Sequence, residues 1–159
     1  MKILIRNSDH VVVYARPDLQ LDAIEASGTG WRDPNFSTAN ATLTDANLPA
    51  DWAGSVWTYI SGVWAIHDPV QHAINQAASL AAMRTAMTCT PWQIRKALNA
   101  MSLRAAVEGG VAASDQTTKD AWQYATEFCR LDPLLISLGV ALGKTAEELD
   151  ALFELALSL

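Results

Sequence analysis

The sequence predicts an α+β fold: a β-rich N-terminal module over residues 1–67, a linking α-helix over 68–89 and a compact all-α C-terminal subdomain over 90–159. Three observations predict it. Apolar and polar residues alternate in short runs before residue 67, a stretch without Gly or Pro follows Asp68-Pro69, and helix-capping signals recur from Thr90 onward. Alternation with a period of two is typical of strands, whereas capped runs with apolar residues three or four apart are typical of helices. Strands followed by helices indicate the α+β class.

Two hairpins are expected in the N-terminal module. In "KILIRNSDHVVVYA" two apolar runs flank Asn, Ser and Asp, which favour a turn, and Pro17 then ends the second strand. Residues 28–51 are rich in Gly, Asn, Thr and Asp and predict loops and short strands. The second hairpin joins "SVWTYI" to "VWAIHD" through Ser61 and Gly62.

A long helix is predicted after Asp68, because Asp caps a helix and Pro suits its first turn. Its apolar stripe is narrow and consists of Val70, Ala73, Ala77, Leu80 and Met87, of which the first four are the candidate helix-helix seam. Two interpretations of this stripe are open. It is a seam that joins copies of the chain or a fibre chain, since small residues let helices approach closely. Alternatively, it packs back on the β-rich module or on the helical subdomain.

The C-terminal subdomain is predicted to contain four or five short helices. Two of them are expected to begin with a capping box. In this motif a Thr and the Gln or Glu three residues later each accept a hydrogen bond from the other's backbone N–H. A further helix is expected to begin near Ser102 and to weaken at Gly109-Gly110. Another is expected where apolar residues keep helical spacing from Trp122 to Phe128. The remaining signals are the capping pairs Thr90 with Gln93 and Thr145 with Glu148, the start at Asp132-Pro133 and the stop at Gly143.

The outline of two helices around Gly143 is that of a helix-turn-helix, but its charge argues against DNA. The chain carries a net charge of -6, and a DNA reader needs cations that replace the counterions of phosphate. The last helix instead carries carboxylates that we expect to be exposed: Glu147, Glu148, Asp150 and Glu154. We therefore expect two packed helices and no nucleic-acid partner.

No catalytic or metal-binding arrangement can be assembled from the sequence. His67, Asp68 and His72 come closest, but a zinc site needs three or four ligands, and a helix cap with surface histidines explains them. We expect a non-enzyme without cofactor or metal. Cys89 and Cys129 are expected to be buried thiols in a reducing compartment. We expect neither a signal peptide nor a membrane span.

Aromatic residues are concentrated in the N-terminal module. The hairpin region supplies Trp52, Trp57, Tyr59 and Trp64. These side chains either fill the local core or form an exposed contact surface, because Trp and Tyr can stack on a sugar or anchor a protein interface at low entropic cost. The sequence leaves both interpretations open, and it does not distinguish sugar from protein.

Several segments together carry a resemblance. They are "GWRDPNFSTANATL", "LPADWAGSVWTYISGVW", "TPWQIRKALNAMSLRAAVEGGVAA" and "WQYATEFCRLDPLLISLGVALGKTAEELDALFELA". In this order the chain is similar to small proteins encoded beside tail-fibre genes of tailed bacteriophages and prophages, and residues 90–159 carry the closer similarity. The motifs are packing signatures without an active site.

This resemblance implies a role in the tail. One such role is a tail-fibre assembly chaperone that holds the fibre tip while the fibre trimerises; another is a minor component of the tail tip or fibre. The implied partner is a tail-fibre or tail-tip protein, and the implied location is the cytoplasm of the infected or lysogenic cell or the virion tail. The competing hypothesis is a carbohydrate-binding module that recognises a host-surface glycan.

Overall fold

The computed structural model describes residues 1–159, which form two compact units, Met1–Ala78 and Ser79–Leu159. Both strands and helices are present, so the predicted α+β class is confirmed. The strands are β1 Lys2–Arg6, β2 Val12–Arg16, β3 Gln20–Leu21, β4 Ala26–Gly28, β5 Trp31–Asp33, β6 Ala41–Asp45, β7 Trp57–Ile60, β8 Val63–Ile66, β9 Thr88–Cys89 and β10 Phe128–Cys129. The helices are α1 Pro69–Ala86, α2 Pro91–Ala100, α3 Arg104–Ala113, α4 Gln116–Tyr124, α5 Pro133–Ala141 and α6 Ala146–Leu157.

The first unit is built on the antiparallel sheet β2-β1-β6, with β1 in the middle. Ile3 and Ile5 belong to one cluster of buried residues and Leu4 to another. Successive side chains of a strand point to opposite faces, so both faces of β1 are covered. This explains why "ILI" is continuously apolar. The predicted first hairpin is confirmed, and Pro17 follows the last residue of β2.

Two smaller sheets complete this unit. The meander β3-β4-β5 contributes Leu19 and Ala26 to the cluster around Leu4. The hairpin β7-β8 is attached to the start of β2 by the bridge between Val11 and Thr58, and its aromatic side chains join the other cluster. The short strands expected within residues 28–51 are confirmed.

The second unit packs α2, α3, α4, α5 and α6 around one apolar core. Both predicted capping boxes are present, at Thr90 and at Thr145. Asp132 caps α5 by accepting a hydrogen bond from the backbone of Leu134. Gly143 follows α5 with a φ of 66°, the left-handed conformation that Gly adopts readily. None of the helices is both long and apolar enough to cross a membrane.

Three expectations for this unit need correction. The helix predicted to extend to Phe128 ends at Tyr124, because Ala125 adopts an extended ψ of 136°. Phe128 lies instead in β10, which pairs with β9 and adds a two-stranded sheet to the expected helices. The cysteines Cys89 and Cys129 occupy these two strands and are free, the first buried and the second half-buried. Helix α3 continues through Gly109 and Gly110 to Ala113.

The position of Asp150 is a further correction and the most consequential one. It was expected on the exposed side of α6, but only 7% of it is exposed. Arg84 donates from Nε and Nη2 to its carboxylate, and Arg130 Nε donates to its Oδ1 at 2.7 Å. A buried carboxylate needs such partners because loss of hydration is otherwise not compensated. Glu147, Glu148 and Glu154 are exposed, as predicted.

Candidate functional site

The hairpin β7-β8 positions most of the predicted aromatic residues. Ser61 and Gly62 both have positive φ, as a tight two-residue hairpin turn requires. The resulting register places Tyr59 opposite Trp64, with ring centroids 4.8 Å apart. Trp57 lies on the same face of the hairpin, and its ring meets Trp64 edge to face at 6.5 Å. The predicted second hairpin is confirmed, and its register places Trp57, Tyr59 and Trp64 on one face.

The aromatic residues also serve the local core. Trp52, Tyr59 and Trp64 pack against the cluster of Ile3, Ile5 and Val12. Trp64 Nε1 donates to the Asn47 carbonyl oxygen at 3.0 Å, whereas the indole nitrogens of Trp52 and Trp57 are buried without a protein acceptor. All four predicted contact residues are half-buried. Only part of each ring is thus accessible, and their role as a partner surface stays a prediction.

Helix α1 is held by polar groups to Asp51, in the loop before this hairpin. His72 Nε2 lies 2.8 Å from Asp51 Oδ2, and Gln76 Nε2 donates to the same oxygen at 3.2 Å. The His72 ring also meets the Trp57 ring edge to face at 5.2 Å. The hydrogen bond from His72 lowers the pKa of Asp51 below its usual range. The polar side of α1 therefore faces the body of the unit.

The apolar side of α1 faces outward. No residue of the helix is buried, and within the first unit Val70 is 71% exposed and Ile74 is 55% exposed. Of the predicted seam, Val70, Ala73 and Ala77 are exposed in this unit, and Leu80 is exposed in the second. Helix α1 thus reverses the usual orientation, in which the apolar residues of a helix face the core.

Further exposed apolar side chains lie on the hairpin. Ile60, Val63 and Ile66 are all exposed. We call Val70, Ile74, Ile60, Val63 and Ile66 the outer apolar residues of the first unit. Sequence reasoning missed Ile74, although it follows Val70 by four positions and so continues the same helix face. The register of the hairpin places Ile60 and Val63 on one face and Ile66 on the other. Exposed apolar residues that form a contiguous patch mark interaction surfaces.

The side chains that could ligate a metal ion do not form a cluster. No three His, Cys, Asp or Glu side chains are close enough to hold a metal ion. His67 and His72 occupy different surroundings, since His72 contacts Asp51 whereas the backbone of His67 donates to the Val56 carbonyl oxygen.

Comparison with known proteins gives no match: no protein-family model, curated protein or solved structure is similar to the chain. Function is therefore inferred from the surfaces of the two units.

Proposed function

We propose that the chain is a tail-associated protein of a tailed bacteriophage or prophage that acts through protein-protein contacts in tail-fibre assembly or attachment. Its partner is a tail-fibre or tail-tip chain, which docks on the outer apolar residues of the first unit. The protein has no enzymatic role in this proposal. It works in the cytoplasm of the infected or lysogenic cell, or in the virion tail.

The reversed orientation of α1 is the observation that carries this proposal. The polar anchor between His72 and Asp51 fixes the helix with Val70 and Ile74 outward. Burying each such side chain stabilises a protein or a complex by about 1.5–3 kcal/mol. A partner that covers Val70 and Ile74 would therefore gain binding free energy from both. The net charge of -6 favours solubility while this surface is uncovered.

Co-expression with the neighbouring fibre protein tests the proposal. The wild-type chain is expected to co-purify with the fibre, and the double variant Val70→Glu/Ile74→Glu to reduce the co-purified fibre by about tenfold, because charges at the centre of an interface are costly. Ile24→Glu is the matched control, since Ile24 is 77% exposed in the same unit but belongs to a turn outside the outer apolar residues. Equal recovery with the double variant contradicts the proposal.

Mass spectrometry of purified particles beside infected-cell lysate then separates the two roles. Presence in the particle at a defined copy number makes the chain a structural tail component. Absence from the particle with abundance in the lysate makes it an assembly factor. A fibre that is equally soluble and trimeric without the chain contradicts the chaperone role.

A further inference from the structure

The second unit contains a basic depression with an exposed aromatic ring. It encloses about 490 Å³ and is lined by Thr90, Pro91, Trp92, Arg95, Lys96, Asn99 and Arg104. No carboxylate lines it, although acidic residues outnumber basic ones in the chain. Volumes of about 300–1,000 Å³ are typical of small-ligand sites. The depression therefore has the size and the charge of a site for a small anionic group.

Trp92 is the only exposed tryptophan of the chain, with 61% of its surface accessible. It occupies the first turn of α2, where the Thr90 capping box fixes the backbone. Lys96, one turn further, places its Nζ 4.3 Å from the centre of the Trp92 ring. A ring that is this exposed can stack on a ligand, whereas the half-buried rings of Trp57 and Trp64 offer less surface.

The cations of the depression are available for a ligand anion. Arg104 pairs with Glu108, but neither Arg95 nor Lys96 forms an ion pair, whereas other ion pairs of the chain join nitrogen and oxygen at 2.6–3.1 Å. Arg95 is held in place, because its Nη2 donates to the Trp122 carbonyl oxygen at 3.1 Å and its guanidinium lies 5.6 Å from the Trp122 ring centre. A fixed guanidinium with free N–H groups is suited to a carboxylate.

We propose that this depression binds a carboxylate-bearing sugar ring of an acidic polysaccharide. The sugar ring stacks on Trp92, and its carboxylate accepts hydrogen bonds from Arg95 and Lys96. Arg95 also lines a neighbouring depression of about 450 Å³ together with Lys119. A second acidic sugar unit of the same polysaccharide therefore has a cation within reach. The ligand class is therefore an oligosaccharide rather than a single acid.

Single-stranded nucleic acid is the competing ligand, since it also combines rings with negative charge. Proteins that bind it offer several aromatic platforms along a continuous basic groove. Here only Trp92 is exposed among the lining aromatic residues, because Trp122 of the neighbouring depression is buried. A single accessible ring suits one stacked sugar better than a run of stacked bases, and this favours the sugar.

Isothermal titration calorimetry of the full chain with tetragalacturonate tests the proposal. Wild type is expected to bind, Trp92→Ala to bind about tenfold more weakly, as loss of one stacking contact implies, and Lys96→Gln to bind several-fold more weakly. Tyr124→Ala is the matched control and should bind as wild type, because Tyr124 is 71% exposed in the same unit and lines neither depression. The neutral galactose tetrasaccharide should bind more weakly than the acidic one.

Three outcomes would overturn the proposal. They are absence of tetragalacturonate binding, wild-type affinity in Trp92→Ala, and tighter binding of oligothymidylate that displaces the sugar. All substitutions lie in the second unit, whereas the proposed fibre contacts lie in the first. The calorimetry therefore tests sugar binding independently of the co-expression experiment, which tests fibre binding.

Discussion

Arg130 Nε lies 2.7 Å from Oδ1 of Asp150, and both side chains are buried in the second unit. The Nη2 of Arg130 donates to the Ala146 carbonyl oxygen at 2.8 Å, in the first turn of α6. Arg84, near the end of α1, binds the other oxygen of the same carboxylate at 2.7 Å. One aspartate therefore ties three chain segments together: α1, the residue after β10 and α6.

The charge of Asp150 is maintained against its burial. Burial by itself raises the pKa of this carboxyl, but the hydrogen bonds from Arg84 and the charge of Arg130 outweigh it, so the pKa lies below its usual range. A carboxyl with a lowered pKa contributes stability above its unfolded pKa and loses it as pH falls through the folded pKa. The ionised pair is therefore intact at neutral pH.

Replacing this carboxylate should be costly. We expect Asp150→Asn to lower the free energy of unfolding by about 3–5 kcal/mol, because it leaves Arg130 buried without a counter-charge. Urea denaturation followed by far-UV circular dichroism measures the change. Glu154→Gln is the control on the same helix; its carboxylate is exposed, and its effect should stay within about 0.5 kcal/mol. If Asp150→Asn lowers the free energy of unfolding as little as Glu154→Gln does, the Asp150 carboxylate does not stabilise the fold.

Local signals in the sequence predicted most element boundaries. The capping boxes at Thr90 and Thr145, the Asp-Pro start at Asp132 and the turn at Ser61-Gly62 each depend on residues within a few positions. Their physical cause is satisfaction of nearby backbone groups, which the sequence displays directly. These elements could be predicted for that reason.

Contacts between distant residues escaped prediction. Asp150 looked like a surface carboxylate because its partners, Arg84 and Arg130, are far from it in sequence. The pairing of β9 with β10 has the same character, since two-residue strands carry no periodicity. The candidate sites were missed in part for this reason: nothing local to Trp92 indicates that it is exposed beside unpaired cations.

Close packing at Gly139 gives a second prediction. A Cβ at this position would lie 2.7 Å from Cδ1 of Leu149, so we expect Gly139→Ala to lower the free energy of unfolding by about 1–3 kcal/mol. Gly109→Ala is the matched control, because Gly109 lies inside α3 with nothing within 4 Å of the added Cβ. It should raise stability by about 0.5–1 kcal/mol through better helix propensity. Thermal unfolding of both variants measures these changes. Equal shifts of the unfolding temperature would contradict close packing at Gly139.

The turn between β1 and β2 yields a prediction on pH. The hydrogen bond from Arg6 lowers the pKa of Asp9 to about 2. The ionised Asp9 therefore stabilises the fold at pH values above its ordinary pKa, and this stabilisation is lost as the pH falls toward about 2. We expect an NMR titration of the Asp9 carboxyl carbon to show this low midpoint and Arg6→Gln to raise it. Arg32→Gln, which removes the partner of Glu25, should leave the Asp9 midpoint unchanged. A midpoint unaffected by Arg6→Gln would refute the assignment.

The contact between His72 and Asp51 should determine how firmly the first half of α1 is held. We expect His72→Leu to speed amide hydrogen exchange in that half several-fold, because the helix loses a hydrogen bond to a charged carboxylate, whose strength solvent screening reduces. Gln71→Ala is the control, since Gln71 bonds within the helix to Asn75 and not to the hairpin.

A double-mutant cycle makes this prediction specific. If His72 and Asp51 act as a pair, His72→Leu combined with Asp51→Ala should speed exchange little more than either change alone, because the second substitution has no bond left to remove. Additive effects would mean that Gln76, which also binds Asp51, carries the anchor instead. The outward position of Val70 and Ile74 depends on this anchor, so the cycle also measures how well the proposed fibre surface is pre-organised.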